Sequence, residues 1–116
     1  MNLSAEHVYL AVGALVVVYM LLKRKGDVTS VEARKLVQEG ARLVDVRSPG
    51  EFASGHIDGA LNIPVNVIGN RATEIGPKDK PVILYCASGA RSATAARVLK
   101  SKGFGTVRNL GAMSRW

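Results

Sequence analysis

The chain reads as an α/β domain with a parallel sheet covered by helices on both faces, and three features predict it. Short apolar runs bounded by glycine and proline alternate with segments of helical pattern, as in Leu43 to Val46, Ala60 to Ile63, Val82 to Tyr85 and Thr106 to Arg108. Strands separated by helices form βαβ crossovers, which produce parallel strands buried on both sides. Such sheets bind ligands at the carboxyl ends of their strands, and the only cysteine, Cys86, stands at the end of one of them. No internal repeat, low-complexity tract or heptad pattern interrupts this reading.

The amino-terminal segment stands apart. Val8 to Leu22 is fifteen residues without a charge, followed at once by Lys23, Arg24 and Lys25. At helical rise it covers about 22 Å, against roughly 30 Å of bilayer hydrocarbon. A secretory signal would carry its positive charges before the apolar run, whereas Glu6 and His7 precede this one. A core helix would show a polar stripe, which is missing, and burial on all sides exceeds what about ninety further residues supply. The expectation is a transmembrane anchor over residues 1–25. Snorkelling of Lys23 to Lys25, the aromatics Tyr9 and Tyr19, and extension back through Leu3 would cover the shortfall. The basic flank then places a single-pass chain in the cell membrane, with lipid as a partner, the amino terminus outside and residues 26–116 in the cytoplasm. That reducing compartment suits a chain with one thiol.

In residues 26–116, Gly26 and Asp27 form a linker. Thr29 or Ser30 caps a helix through Glu39, with Ala33, Leu36 and Val37 on one face and Gly40 at its end. Leu43 to Val46 is a strand. Ser48, Pro49 and Gly50 start a short helical turn through Phe52 to Ser54, and Gly55 ends it. His56 to Gly59 is a turn, Ala60 to Ile63 a further apolar run stopped by Pro64, and Val65 to Ile75 a helix candidate weakened by Gly69 and Asn70. Val82 to Tyr85 is β-branched and aromatic, hence a buried strand, and Ser92 to Lys100 is helical. Gly103 breaks that helix, Thr106 to Arg108 returns as a last strand, and Gly111 turns out of it.

The loop Cys86 to Arg91 therefore joins a strand end to a helix start. Backbone N–H groups there lack intrahelical partners, and the helix dipole adds partial positive charge. Gly89 permits a positive φ, the small residues Ala87, Ser88 and Ala90 leave the amides uncovered, and Arg91 adds a permanent cation. Thiols in such settings fall from about 8.5 to roughly 3.5–7.5, and the thiolate is the nucleophile. The competing reading is a buried small hydrophobe at a strand end, the usual fate of a free cysteine.

The net charge of +7 is partly local to the amino terminus, since residues 27–116 hold thirteen basic and eight acidic residues. That balance suits anionic headgroups or a small anionic substrate. Nucleic acid is not expected, because the basic residues are scattered and the aromatics form no stacking platform. Neither a metal nor an organic cofactor is expected.

Asp45-Val46-Arg47, Glu51-Phe52, Gly55 through Pro64, Tyr85 through Arg91, Asn109 through Met113 and Trp116, in that order, resemble a single-domain rhodanese over almost all of Val28 to Trp116. The resemblance implies a three-layer fold with a central five-stranded parallel sheet. It also implies a sulfurtransferase: Cys86 takes the outer sulfur of thiosulfate or a related donor, becomes a persulfide, and passes it to cyanide or a thiol. Phosphatases with related loops place five residues between cysteine and arginine; here four intervene, which suits a sulfur atom and crowds a phosphoryl group. A binding or sensing module that uses the same fold without turnover is the other alternative.

Roles at the remaining positions are more open. Asp45 and Arg47 lie at a strand end beside the expected pocket, with Asp45 expected to fasten neighbouring backbone and Arg47 to pair with Glu51. Ser88 either hydrogen-bonds the sulfur or tightens the turn. Arg91 either contacts the anion or fastens the loop from outside. Ala87 and Ala90 carry no charge, so Arg91 and the backbone would bind the anion. With no second cysteine, an outside acceptor must discharge the persulfide.

Overall fold

Four parallel strands form the sheet in the order β2, β1, β3, β4, in a computed structural model that describes residues 4–24 and 26–116, with side chains at 4–19 and 26–116. The strands are β1 (Arg42–Asp45), β2 (Leu61–Asn62), β3 (Val82–Cys86) and β4 (Val107–Ala112). Between and before them run the helices α1 (Ala5–Arg24), α2 (Ser30–Gln38), α3 (Pro49–Ala53) and α4 (Ala90–Ser101). Local signals set most of these boundaries. The Thr29 side chain accepts from the Glu32 amide and caps α2, as its position before the apolar period predicts. Ser48 and Glu51 form a reciprocal capping box at α3, with Pro49 in the first turn.

Alternation along the strands divides the core in two. Val44, Val82, Leu84 and Cys86 face the side packed by α4, with Ala95, Leu99 and Phe104 among the buried residues there. Leu43, Ile83 and Tyr85 face the other side with Ala33, Leu36 and Val37 of α2. The sheet is thus covered on both faces, and the carboxyl ends of β1, β2 and β3 meet at one edge.

Several expectations are corrected. The sheet has four strands among the described residues, not five. Beside β4, the Asp27 amide donates to the Asn109 carbonyl at 2.8 Å and the Asn109 amide donates to the Asp27 carboxylate at 2.7 Å. A side chain thus takes the place of the next ladder acceptor, and Gly26, at φ +72°, bends the chain away, so no edge strand develops. The helix expected over Val65 to Ile75 is two 3₁₀ turns, Val65–Val67 and Ala72–Glu74, separated by turns at Gly69 and Asn70. Gly111 does not end the last strand: at φ +94° it lies within β4, where the register with β3 shifts at Leu84 and Tyr85.

The membrane anchor expected over residues 1–25 also lacks support, and with it the lipid partner. Residues 5–24 do form one helix, and Val8, Tyr9, Leu10, Val12 and Leu15 to Tyr19 are exposed. No helix among the described residues, however, is long and apolar enough to cross a membrane. The physical limit is the one visible in the sequence: the uncharged stretch spans about 22 Å as helix. The extension through Leu3 and the snorkelling of Lys23, Arg24 and Lys25 concern groups outside the described residues.

Candidate active site

The site is built where β3 runs into α4. Because Cys86 follows Leu84 by two residues, its side chain falls on the α4 face of the sheet. The chain then curls back through Gly89, whose φ of +98° and ψ of −14° place it in left-handed space as the N-cap of α4. This curl aims the Gly89 amide at the Cys86 Sγ, 2.9 Å away. Ser92, one turn into α4 and fully buried, puts its Oγ 3.4 Å from the same sulfur. The Ser92 hydroxyl also lies 3.1 Å from the Gly89 carbonyl oxygen, which accepts from the Ala93 amide at 3.0 Å.

Two opposed effects act on the thiol. Burial pushes it up, but the Ser92 hydroxyl and the amides of Ser92, Gly89 and Ser88 favour the thiolate, and their sum holds Cys86 below the ordinary thiol value. The loop is not open as expected: Cys86 has no exposed surface. Its cover is thin, however, since Ala87, Ser88 and Ala90 are exposed small residues and only Gly89 between them is buried. Ser88 acts on the sulfur through its amide rather than its hydroxyl.

Arg91 makes its hydrogen bonds to Glu51 and none, among the described contacts, to the sulfur. Its Nη1 and Nη2 donate to Glu51 Oε1 and Oε2 at 2.7 and 3.0 Å, which ties the start of α4 to α3. Glu51 Oε1 also accepts from the Ser48 amide at 3.1 Å. These bonds, Arg91 first, pull the Glu51 carboxyl down to about 2. Of the two roles open to Arg91, fastening the loop is the one its contacts describe.

The expected pairing of Arg47 with Glu51 is corrected. Arg47 instead grips Asp45, with Nη2 at 2.7 Å from Oδ2 and Nε at 3.1 Å from both carboxylate oxygens. Asp45 Oδ1 also accepts from the Arg47 amide at 2.9 Å, and Arg47 Nη2 donates to the Gly55 carbonyl at 2.7 Å. Both residues are buried, so this pair is a structural bracket behind the loop. Asn62 extends it by donating to the carbonyls of Asp45 and Arg47. Tyr85 accepts from the Ile57 amide, and burial pushes its hydroxyl up to about 12.

Sequence reasoning missed Ser92 and the partner of Arg91. Ser92 was readable only as a helix start, although its place three residues after Gly89 is where an N3 side chain folds back over its own N-cap. Beside Arg91, a cavity of about 360 Å³ opens at the carboxyl ends of β1 and β2, lined by Val46, Ser48, Pro49, Pro64, Asn66 and Arg91 among others. The walls are mainly apolar with a few polar groups, the usual character of a small-molecule pocket.

Comparison with known proteins finds relatives of this domain in sequence and in fold. The rhodanese-like domain family matches residues 29–116. A sulfurtransferase of Allochromatium vinosum is 44% identical over 91 residues, covering 78% of this chain and 84% of that protein. The thiosulfate sulfurtransferase PspE of Escherichia coli is 35% identical over 71 residues, covering 60% of this chain and 68% of that protein. Among solved structures, the human single-domain sulfurtransferase TSTD1 superposes with a TM-score of 0.69 at 35% identity, covering 77% of this chain and 92% of that one.

Proposed function

The chain belongs to the rhodanese-like domain family and is a sulfurtransferase-type enzyme, and from that premise we propose that Cys86 carries the transferred sulfur as a persulfide. The Cys86 thiolate attacks the outer sulfur of thiosulfate or a related anionic sulfane donor; the S–S bond of the donor breaks and sulfite leaves with its electron pair. Cyanide or a thiolate then attacks the outer sulfur of the persulfide, and Cys86 leaves as a thiolate. No net electron is required from elsewhere.

The observation that carries this reading is the Gly89 amide 2.9 Å from the Cys86 Sγ at the start of α4, in a setting where donors outweigh burial. Fixed donors of this kind are worth roughly 2.7–4 kcal/mol each when charge develops against them. The same N–H groups are available to a terminal persulfide sulfur, whose charge lies one bond further out. Ala87, Ser88 and Ala90 must move aside to admit the donor, and with no bulky side chain among them that movement is small. Arg91 holds the frame of the loop through Glu51, and Asp45 with Arg47 holds the strand end behind it. The cavity beside Arg91 is the approach we assign to the acceptor. We place the domain in a reducing, cytoplasmic compartment, because a lone thiol must stay unoxidised between turnovers.

One observation favours a second reading, a binding module without turnover: Cys86 has no exposed surface. A single experiment separates the two. Purified chain incubated with thiosulfate gains the mass of one sulfur on Cys86 and releases thiocyanate when cyanide is added. Folded protein that gains no sulfur from thiosulfate or from several other sulfane donors supports the binding module.

A further inference from the structure

Ser92 stands inside the site but is not its nucleophile, and its hydroxyl cannot donate to both of its neighbours at once. A hydroxyl has one proton, yet Ser92 Oγ lies 3.1 Å from the Gly89 carbonyl and 3.4 Å from the Cys86 Sγ. While Cys86 is a thiol, its S–H can donate to Ser92 Oγ, which in turn donates to the Gly89 carbonyl. Once Cys86 is a thiolate, that arrangement points an oxygen lone pair at a negative sulfur. Turning the hydroxyl about its C–O bond replaces the repulsion with an O–H donor.

The turn leaves no orphan behind. The Gly89 carbonyl keeps the Ala93 amide at 3.0 Å, the ordinary i to i−4 bond of α4. Ser92 is fully buried, so no water competes for the hydroxyl. The Gly89 amide is fixed on the sulfur in either state, which makes Ser92 the only neighbouring donor, among the described contacts, that can change with the charge of Cys86.

We propose that Ser92 is a positioning residue whose hydroxyl switches from acceptor to donor as Cys86 ionises, and so stabilises the thiolate selectively. This rests on the sulfurtransferase reading for its use. In the first half-reaction the thiolate is the nucleophile, and in the second it is the leaving group, so one donor serves both. In the persulfide between them the charge has moved to the outer sulfur, and the hydroxyl returns to Gly89.

The test uses the full chain and reads the thiol without any sulfur donor. The pH dependence of Cys86 alkylation by iodoacetamide is compared in wild type, Ser92→Ala and Ser92→Thr. A hydrogen bond to a charged group is worth enough to move the Ser92→Ala midpoint up by about one pH unit, which is about tenfold less thiolate at any pH well below both midpoints. Ser92→Thr, which keeps the hydroxyl, restores the wild-type midpoint. An unchanged midpoint in folded Ser92→Ala overturns the proposal. Should the variants fail to fold, the infrared S–H stretch of wild type below its thiol midpoint decides. A band shifted to lower frequency shows the S–H donating to Ser92, and a band at the free-thiol position overturns the switch. Because neither readout involves sulfur transfer, a shifted midpoint in a chain that never forms a persulfide leaves the switch standing and removes only the enzymatic reading.

Discussion

Gly89→Ala tests the loop geometry most directly, because the same residue supplies both the left-handed turn and the closest donor to the sulfur. At φ +98° and ψ −14°, an L side chain is strained by roughly 1–2 kcal/mol. Two responses are open to the variant. If the loop keeps its shape, the strain appears as lost stability, a sizeable share of a total of about 5–15 kcal/mol. If the loop relaxes, stability is spared but the Gly89 amide leaves its place 2.9 Å from Sγ. A hydrogen bond to a charged group is worth about 1.5–3 kcal/mol, so the thiol midpoint then rises by about 1–2 pH units. Urea denaturation with slope and midpoint reads the first response, and the pH profile of Cys86 alkylation reads the second. A variant that keeps both the urea midpoint and the alkylation profile of wild type refutes the loop geometry.

Other consequences follow from the bracket, the clamp and the linker. Asp45→Ala leaves the buried Arg47 guanidinium without its carboxylate and costs about 3–5 kcal/mol in urea denaturation, most of which returns when Arg47→Met is added; a loss below about 1 kcal/mol contradicts the bracket. Glu51 is held at about 2 when folded, against an ordinary 4.5, so its contribution is complete above the ordinary value and disappears as pH falls toward the folded one. The urea midpoints of wild type and Glu51→Gln should therefore differ at neutral pH and converge on acidification between those limits, whereas a constant gap rules out the carboxylate as the cause. Gly26→Ala, at φ +72°, would drive a methyl group into the Asn109 carbonyl oxygen and to 2.7 Å from the Leu110 carbonyl. It should lower the thermal midpoint by several degrees, and an unchanged midpoint argues against the contact of this linker with β4.

By itself the sequence determined the class of fold, the strand-to-helix loop on which Cys86 sits and most element boundaries. These depend on short-range physics: the period of apolar residues, capping by Thr29 and Ser48, and a glycine three residues after Cys86 where the chain must curl. The tertiary structure decided what depends on partners distant in the chain. Glu51 pairs with Arg91 rather than with the nearer Arg47, because Asp45 lies next to Arg47 and satisfies it first. The strand count turned on whether the segment at Gly26 and Asp27 ran along β4, and an aspartate side chain filled the place of the ladder bond. A sulfur closed over by its loop was equally out of reach of the sequence, since burial is a property of the packed chain and not of any residue in it.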